Sequence, residues 1–146
     1  MKVLFIRHGK AEALQTGILD SERHLTQEAH KELQEKMPYL RAYLSNASTK
    51  VFSSPLIRAV ETARYVSQEI TEIEFLKTGN RDDLLKCINE HQTYDYLLFV
   101  GHEPYISQWV HELCQKEIDV KTGMLIECEY PFKFIRALKL KDYSHL

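Results

Sequence analysis

The sequence is poor in the residues that mark several special classes of protein. It contains only three cysteines, Cys87, Cys114 and Cys128, and none of them belongs to a CxxC pair. We therefore expect neither a disulfide framework nor a zinc site, and reduced thiols fit a cytoplasmic protein. No apolar stretch is long enough to span a bilayer, and the N-terminal residues lack the pattern of a signal peptide. These absences predict a cytoplasmic protein that does not enter a membrane.

An excess of charge of one sign is also missing. The 19 Lys and Arg residues and the 21 Asp and Glu residues leave a formal net charge of -2. There is no basic run and no interleaving of basic with aromatic residues, which argues against a nucleic-acid partner. Any anion site must therefore be a local cluster of arginines. Five of the seven histidines show no spacing typical of metal ligands, so we expect neither a metal nor a cofactor; they are His24, His30, His91, His111 and His145.

The order of predicted elements indicates the fold class. With 146 residues and no linker, repeat or low-complexity stretch, the chain is expected to form one domain over residues 1–146. Apolar runs predict strands over 1–6, 50–53, 73–76, 96–100, 124–130 and 132–140. Helices are predicted over 27–44, from about 55 to 70, from about 82 to 90 and from about 105 to 115. This alternation predicts a three-layer α/β/α sandwich with a mostly parallel central sheet and an antiparallel pair at one edge.

Several local signals set the expected boundaries of these elements. Thr26 is a good N-cap for the first long helix, and Pro38 inside it predicts a kink or a break. Ser54 followed by Pro55 reads as an N-cap with proline at the first helical position. Asn80 or Asp82 is expected to cap the third long helix. The last residues, 144–146, are expected to fray.

Polar residues of types that bind ligands or take part in catalysis lie at the ends of three predicted strands. Arg7-His8-Gly9 follows the first strand, Ser54-Pro55 with Arg58 follows the second, and Gly101-His102 follows the strong apolar strand over 96–100. Parallel strands place their carboxyl ends on one side of the sheet, where α/β proteins bind ligands. Taken alone, Arg58 also reads as a solvated helix residue, and His102 as a capping or core histidine. Together they indicate one site.

That combination of side chains suits phosphoryl transfer to nitrogen. Arginine forks bind the equatorial phosphoryl oxygens, and a neutral imidazole nitrogen supplies the nucleophile. Three glutamates near these stretches, Glu12, Glu22 and Glu103, are interpreted as solvated carboxylates or as partners of the arginines rather than as catalytic acids.

Four stretches of the chain resemble the histidine phosphatase superfamily, which has the phosphoglycerate-mutase-like fold. They are Arg7-His8-Gly9, the Arg-x-Leu-Thr element at residues 23–26, the Ser-Pro-x-x-Arg-Ala-x-x-Thr-Ala element at residues 54–63, and the second histidine at His102. They occur in the family's order and span most of the chain. Within the superfamily, the chain is most similar to the short phosphohistidine phosphatases of the SixA type.

The resemblance implies a role for each site residue. It implies that His8 is the nucleophile that becomes phosphorylated. It also implies that Arg7, Arg58 and His102 hold the phosphoryl group, with Arg23 as an auxiliary phosphate-binding residue. The implied partner is a protein that carries a phosphohistidine, such as a phosphotransfer domain or a phosphocarrier.

Departures from the family pattern bear on the substrate. Many members have proline and glycine where this chain has His24 and Ala29, which predicts only a small change where the loop meets the helix. Mutases and phosphomonoesterases of the superfamily carry an acidic proton donor and often a lid in the region that corresponds to residues 76–83 here. That region is short and has no glutamate, so the chain is predicted to cleave an N–P bond.

Two alternatives remain open at this stage. The chain could be a small-molecule phosphomonoesterase that uses Asp82 or Asp83 as its acid, or a catalytically weak phosphate-binding module. The intact set of two histidines and two arginines argues against the second.

Overall fold

A computed structural model describes all 146 residues and contains one six-stranded mixed sheet. The strands are β1 (Lys2–Arg7), β2 (Thr49–Ser53), β3 (Thr71–Glu72), β4 (Tyr96–Gly101), β5 (Leu125–Glu129) and β6 (Lys133–Leu138). Their order across the sheet is β3-β2-β4-β1-β5-β6. Strands β1 to β4 run parallel, whereas β5 is antiparallel to β1 and β6 is antiparallel to β5. The predicted parallel sheet with an antiparallel edge pair is confirmed.

Helices cover both faces of this sheet. They are α1 (Gln27–Leu44), α2 (Ile57–Arg64), α3 (Phe75–Thr78), α4 (Arg81–Glu90) and α5 (Tyr105–Cys114), with short 3-10 helices at Asp20–Glu22 and Leu140–His145. Side chains of β1 alternate between the two faces. Val3 and Phe5 pack in the core beneath α3, α4 and α5, whereas Leu4 and Ile6 pack in the core beneath α1 and α2. The predicted three-layer sandwich is therefore correct.

Helix α1 follows the sequence prediction closely but does not break. Thr26 caps it by accepting a hydrogen bond from the backbone N–H of Ala29 at 3.0 Å, and every fourth or third residue on its apolar side is buried. The helix continues through Pro38. Both Pro38 and Gln34 are exposed, so the Gln34 carbonyl that loses its helical partner can bond to water.

The predicted second helix and third strand do not match the structure. Helix α2 begins at Ile57 after an N-cap at Leu56 and ends at Arg64, so residues 54–56 and 65–70 lie outside it. Residues 73–76 are not a strand, because the edge strand β3 ends at Glu72 and α3 begins at Phe75. Short apolar runs do not distinguish a strand from a buried helical turn. Both Phe75 and Leu76 are buried in the core.

The expected frayed end is instead a docked 3-10 helix over Leu140–His145. Tyr143 is fully buried, and its hydroxyl donates a hydrogen bond to the Gly123 carbonyl at 2.7 Å. Burial of a large aromatic ring together with a satisfied hydroxyl fixes the segment against α1. None of the five helices is long and apolar enough to cross a bilayer.

Candidate active site

The carboxyl ends of three neighbouring strands bring the predicted site residues together. Strand β4 lies between β1 and β2, with Arg7 paired to Gly101 and Ser53 paired to Val100. The ladder continues one residue beyond the strands, because the backbone N–H of His8 bonds to the Gly101 carbonyl at 3.1 Å. The imidazole rings of His8 and His102 consequently lie with their centroids 5.0 Å apart.

His8 presents an uncharged imidazole with one free nitrogen. Its Nδ1 lies 2.6 Å from the carbonyl oxygen of Gly9, and since a carbonyl only accepts, Nδ1 carries the proton and donates. Burial of the ring lowers the pKa of His8 to about 4, with further lowering from the charges of Arg58, Arg7 and Arg23 and an opposing effect of the Gly9 hydrogen bond. At neutral pH the Nε2 atom therefore has a lone pair available for attack on an electrophile.

His102 is buried beside it and is also neutral. Burial lowers the pKa of His102 to about 3, and repulsion from His8 in its protonated form and from Arg58 lowers it further. Its Nε2 atom lies 2.7 Å from the hydroxyl oxygen of Ser54, whereas Nδ1 has no hydrogen-bond partner. One ring nitrogen is thus fixed by the protein and the other is left for a ligand.

Two arginines complete the site, each with one part of its guanidinium occupied. Arg7 Nη1 donates to the Val120 carbonyl at 2.8 Å. Arg58 donates from Nη1 to the Asp20 carbonyl at 2.9 Å and from Nη2 to the Asp20 carboxylate at 3.2 Å. The Nε atoms of both arginines are buried and have no partner. A buried donor without a partner costs free energy, and a bound anion would satisfy it.

The loop from Arg7 to Leu25 supplies the counter-charge for Arg58. Arg23 holds the Asp20 carboxylate through Nη2 at 2.7 Å and Nε at 2.9 Å, and it also donates to the Glu12 carbonyl. Desolvation acts to raise the pKa of Asp20, but the hydrogen bond from Arg23 and the charge of Arg58 lower it below its usual value. The structure thus places Arg23 behind Asp20, where it orients the loop and adds positive charge near His8.

Sequence reasoning left Thr62 without a role, although the residue stands in the quoted helix motif. Its hydroxyl donates to the Arg58 carbonyl at 2.8 Å and accepts from the Gly9 N–H at 3.0 Å. Thr62 therefore ties the turn after β1 to helix α2. A threonine one turn after Arg58 in the motif is the signal that the sequence offers for this contact.

A cleft of about 500 Å³ opens onto Arg58 and His102. The other residues that line the cleft are Leu19, Asp20, Ser21, Leu56, Lys77, Glu103 and Tyr105. Asp82 and Asp83 do not line this cleft, and the Asp82 side chain is 89% exposed. Glu103 accepts a hydrogen bond from the Ser107 N–H at 2.8 Å, at the start of α5. The carboxylates in the cleft are therefore Asp20 and Glu103.

Comparison with protein families identifies the group to which this site belongs. The sequence pattern of the Histidine phosphatase superfamily (branch 1) matches residues 3–84, more than half of the 146-residue chain. The chain belongs to the histidine phosphatase superfamily. The matched range contains Arg7, His8, Arg23 and Arg58, whereas His102 lies beyond it and is brought to the site by β4. No curated protein sequence matches this histidine phosphatase at a significant level.

Solved structures share the fold of this histidine phosphatase at low sequence identity. A SixA protein from Agrobacterium tumefaciens has a TM-score of 0.80 and 17% identity, with 94% of this chain and 96% of that chain covered. The protein histidine phosphatase SixA complexed with tungstate has a TM-score of 0.77 and 22% identity, with 97% and 99% covered. A phosphoserine phosphatase from Entamoeba histolytica has a TM-score of 0.68 and 14% identity, with 94% and 95% covered.

Family and fold together support a coarse function. This chain is a phosphatase of the histidine phosphatase superfamily with a SixA-like, phosphoglycerate-mutase-like fold. Because structures with this fold include proteins named for different substrates, the fold alone does not select among them.

Proposed function

We propose that this histidine phosphatase removes the phosphoryl group from phosphohistidine in a partner protein, through an intermediate in which His8 is phosphorylated. The observation that carries the proposal is a set of three buried nitrogens without partners, Arg7 Nε, Arg58 Nε and His102 Nδ1, beside the neutral ring of His8. Only one other buried side-chain polar atom in the whole protein lacks a partner, the hydroxyl of Thr49. The clustering of these unpartnered nitrogens fits a binding site for a phosphoryl group.

The reaction requires two displacements at phosphorus. In the first, the lone pair of His8 Nε2 attacks phosphorus, and the bond between phosphorus and the substrate imidazole breaks. In the second, water attacks phosphorus and the bond between phosphorus and His8 Nε2 breaks. Inorganic phosphate leaves, the His8 ring regains its lone pair, and a proton of the water passes to solvent. The two arginines and His102 would bind the phosphoryl oxygens in both transition states, where preorganised donors contribute most.

The carboxylates of the cleft favour a good leaving group. An alkoxide leaves from phosphorus only with help from a positioned acid, whereas a substrate imidazole can accept its proton from solvent. Asp20 is held by two arginines that lower its pKa, so it is ionised at neutral pH and has no proton to give. Glu103 Oε1 accepts a hydrogen bond from the backbone N–H of Ser107 at the start of α5. The site therefore suits an N–P bond better than an alkyl phosphate.

The proposed partner is a phosphotransfer domain or a phosphocarrier protein, because both carry phosphoryl groups on histidine. The cleft is open to solvent, so a phosphohistidine on a folded surface could enter it. The related SixA structure that holds tungstate, a tetrahedral oxyanion, supports an anion site in this fold.

A phosphomonoesterase is the second candidate, and the fold shared with a phosphoserine phosphatase favours it. The version that relies on Asp82 or Asp83 finds no support in the geometry, because neither carboxylate lines the cleft. If the protein turns over no activated phosphate, the hypothesis of a catalytically weak phosphate-binding module is favoured.

Trapping the intermediate tests the proposal. Brief incubation with radiolabelled phosphoramidate, followed by a quench that avoids acid, should leave one label that survives base and maps to His8. His8→Ala should lose both the label and turnover, whereas His111→Ala, which changes an exposed histidine on α5, should retain both. Turnover close to the parent rate in His8→Ala would contradict the mechanism.

A further inference from the structure

The hydroxyl of Ser54 is placed to decide which nitrogen of His102 carries the proton. Ser54 is fully buried, and its Oγ has two neighbours within hydrogen-bond distance, His102 Nε2 at 2.7 Å and the backbone N–H of Leu56 at 3.2 Å. The amide of Leu56 can only donate, so Ser54 Oγ accepts there. The remaining hydrogen of the hydroxyl then has one available acceptor, which is Nε2 of His102.

The opposite arrangement leaves a buried group unsatisfied. If His102 carried its proton on Nε2, that N–H would donate to Ser54, and the hydroxyl hydrogen of Ser54 would have no acceptor in the fully buried position. The Nε2–H tautomer would thus leave two buried groups without partners, the hydroxyl hydrogen of Ser54 and the Nδ1 lone pair of His102, whereas the Nδ1–H tautomer leaves only the Nδ1–H without a protein partner. The hydrogen-bond inventory therefore favours a proton on Nδ1, the nitrogen that has no protein partner.

We propose that Ser54 is a positioning residue that holds His102 in the Nδ1–H tautomer and so directs the single proton of a neutral imidazole toward the phosphoryl group. This assignment rests on the proposed function only for the identity of the ligand. The tautomer itself is a property of the free protein. Its consequence is that the proton needs no rearrangement when the substrate binds, which is what preorganisation requires.

The arrangement matters because His102 is uncharged at neutral pH. A protonated imidazole has two donors, whereas a neutral imidazole has only one, and its position decides whether the ring attracts or repels a phosphoryl oxygen. The burial that lowers the pKa of His102 thus makes the tautomer functionally important. A nitrogen lone pair turned toward a phosphoryl oxygen would be repulsive.

Nitrogen-15 NMR of the protein near pH 7 reads the tautomer directly and does not depend on activity. The spectrum of the parent should show a protonated Nδ1 and an unprotonated Nε2 for His102. In Ser54→Ala the Nε2–H form should appear, and kcat/KM should fall at least about tenfold, since one preorganised donor is no longer held in place. Affinity for inorganic phosphate should fall in the same variant.

Ser53→Ala is the matched control. Ser53 is equally buried and one residue away, but its hydroxyl donates to the Ser54 carbonyl at 2.8 Å and does not contact His102. This variant should keep the parent's tautomer and activity. An Nε2–H tautomer in the parent, or a Ser54→Ala protein that matches Ser53→Ala in both spectrum and kcat/KM, would overturn the proposal. If neither variant nor parent turns over phosphohistidine, the proposed function fails while the NMR result still decides the tautomer.

Discussion

At the scale of single residues, Arg58 shows how one side chain serves both the loop and the site. Its two terminal nitrogens bind Asp20, while its Nε is buried without a partner. A lysine has one nitrogen at the end of a flexible chain and cannot occupy both positions.

We therefore expect Arg58→Lys to lower kcat/KM for phosphohistidine by about a hundredfold or more, as for the loss of a preorganised donor. Steady-state kinetics with a phosphohistidine peptide measure the effect. The control is Arg41→Lys, because Arg41 is a surface arginine that donates to the Tyr65 carbonyl and does not line the cleft. A loss of less than about tenfold, relative to that control, would mean that Arg58 does not bind the phosphoryl group.

The two buried histidines also make folding stability depend on pH. The pKa of His8 is about 4 and that of His102 about 3, against 6.5 for the free side chain. Below pH 6.5 the unfolded chain binds protons at these positions before the folded protein does. Their contribution is therefore complete above about pH 6.5 and is lost as the pH falls toward 4 and then 3.

His8→Gln should reduce this acid sensitivity. The parent should lose more unfolding free energy between pH 7 and pH 5 than the variant, by about 1–2 kcal/mol. Urea unfolding at the two pH values measures the difference. His111→Gln, which changes an exposed histidine, should behave like the parent. Equal losses in the parent and in His8→Gln would show that His8 is not kept neutral by the fold.

At the scale of elements, the sequence predicted those whose apolar pattern is strong and long. The period of α1 and the unbroken runs of β1 and β4 are set by burial, and burial leaves its mark directly on the sequence. The start of α2 was mispredicted because Ser54 and Pro55 resemble a helix start. The Ser54 hydroxyl instead contacts His102, a residue 48 positions away, and such a long-range contact has no local signal.

Gly79, between α3 and α4, is a position where an added side chain would clash. Its φ is +82°, and a Cβ there would lie 2.2 Å from a ring atom of Tyr105, which lines the cleft. We expect Gly79→Ala to lower the free energy of unfolding by roughly 2 kcal/mol or more, through backbone strain and the displaced ring.

Gly17→Ala separates these two causes. Gly17 has a similar φ of +85° but no atom within 4 Å of the added Cβ, so only the backbone cost of about 1 kcal/mol should appear. Denaturant unfolding of both variants gives the comparison. Equal destabilisation by the two substitutions would mean that Tyr105 is not packed against Gly79.

At the scale of the whole molecule, the fold converts four separate stretches of sequence into one site. Their proximity could be predicted, because parallel strands end on the same side of a sheet and β4 lies between β1 and β2. The counter-charge could not, because Asp20 begins a short 3-10 helix within a long connection whose path depends on Arg23 and on contacts with α2. Sequence patterns fix which residues reach the sheet edge but not the partners of their individual nitrogens.

The most direct test of the account compares two peptides that differ only in the phosphorylated residue. The parent should dephosphorylate the phosphohistidine peptide, after correction with His8→Ala for spontaneous hydrolysis. It should act on the phosphoserine peptide at least about a hundredfold more slowly, because no acid protonates the alkoxide. Asp82→Asn and Asp83→Asn should change neither rate. Equal turnover of the two peptides by the parent would contradict the account. Loss of phosphoserine activity in either Asp variant, with phosphohistidine activity kept, would then identify a phosphomonoesterase.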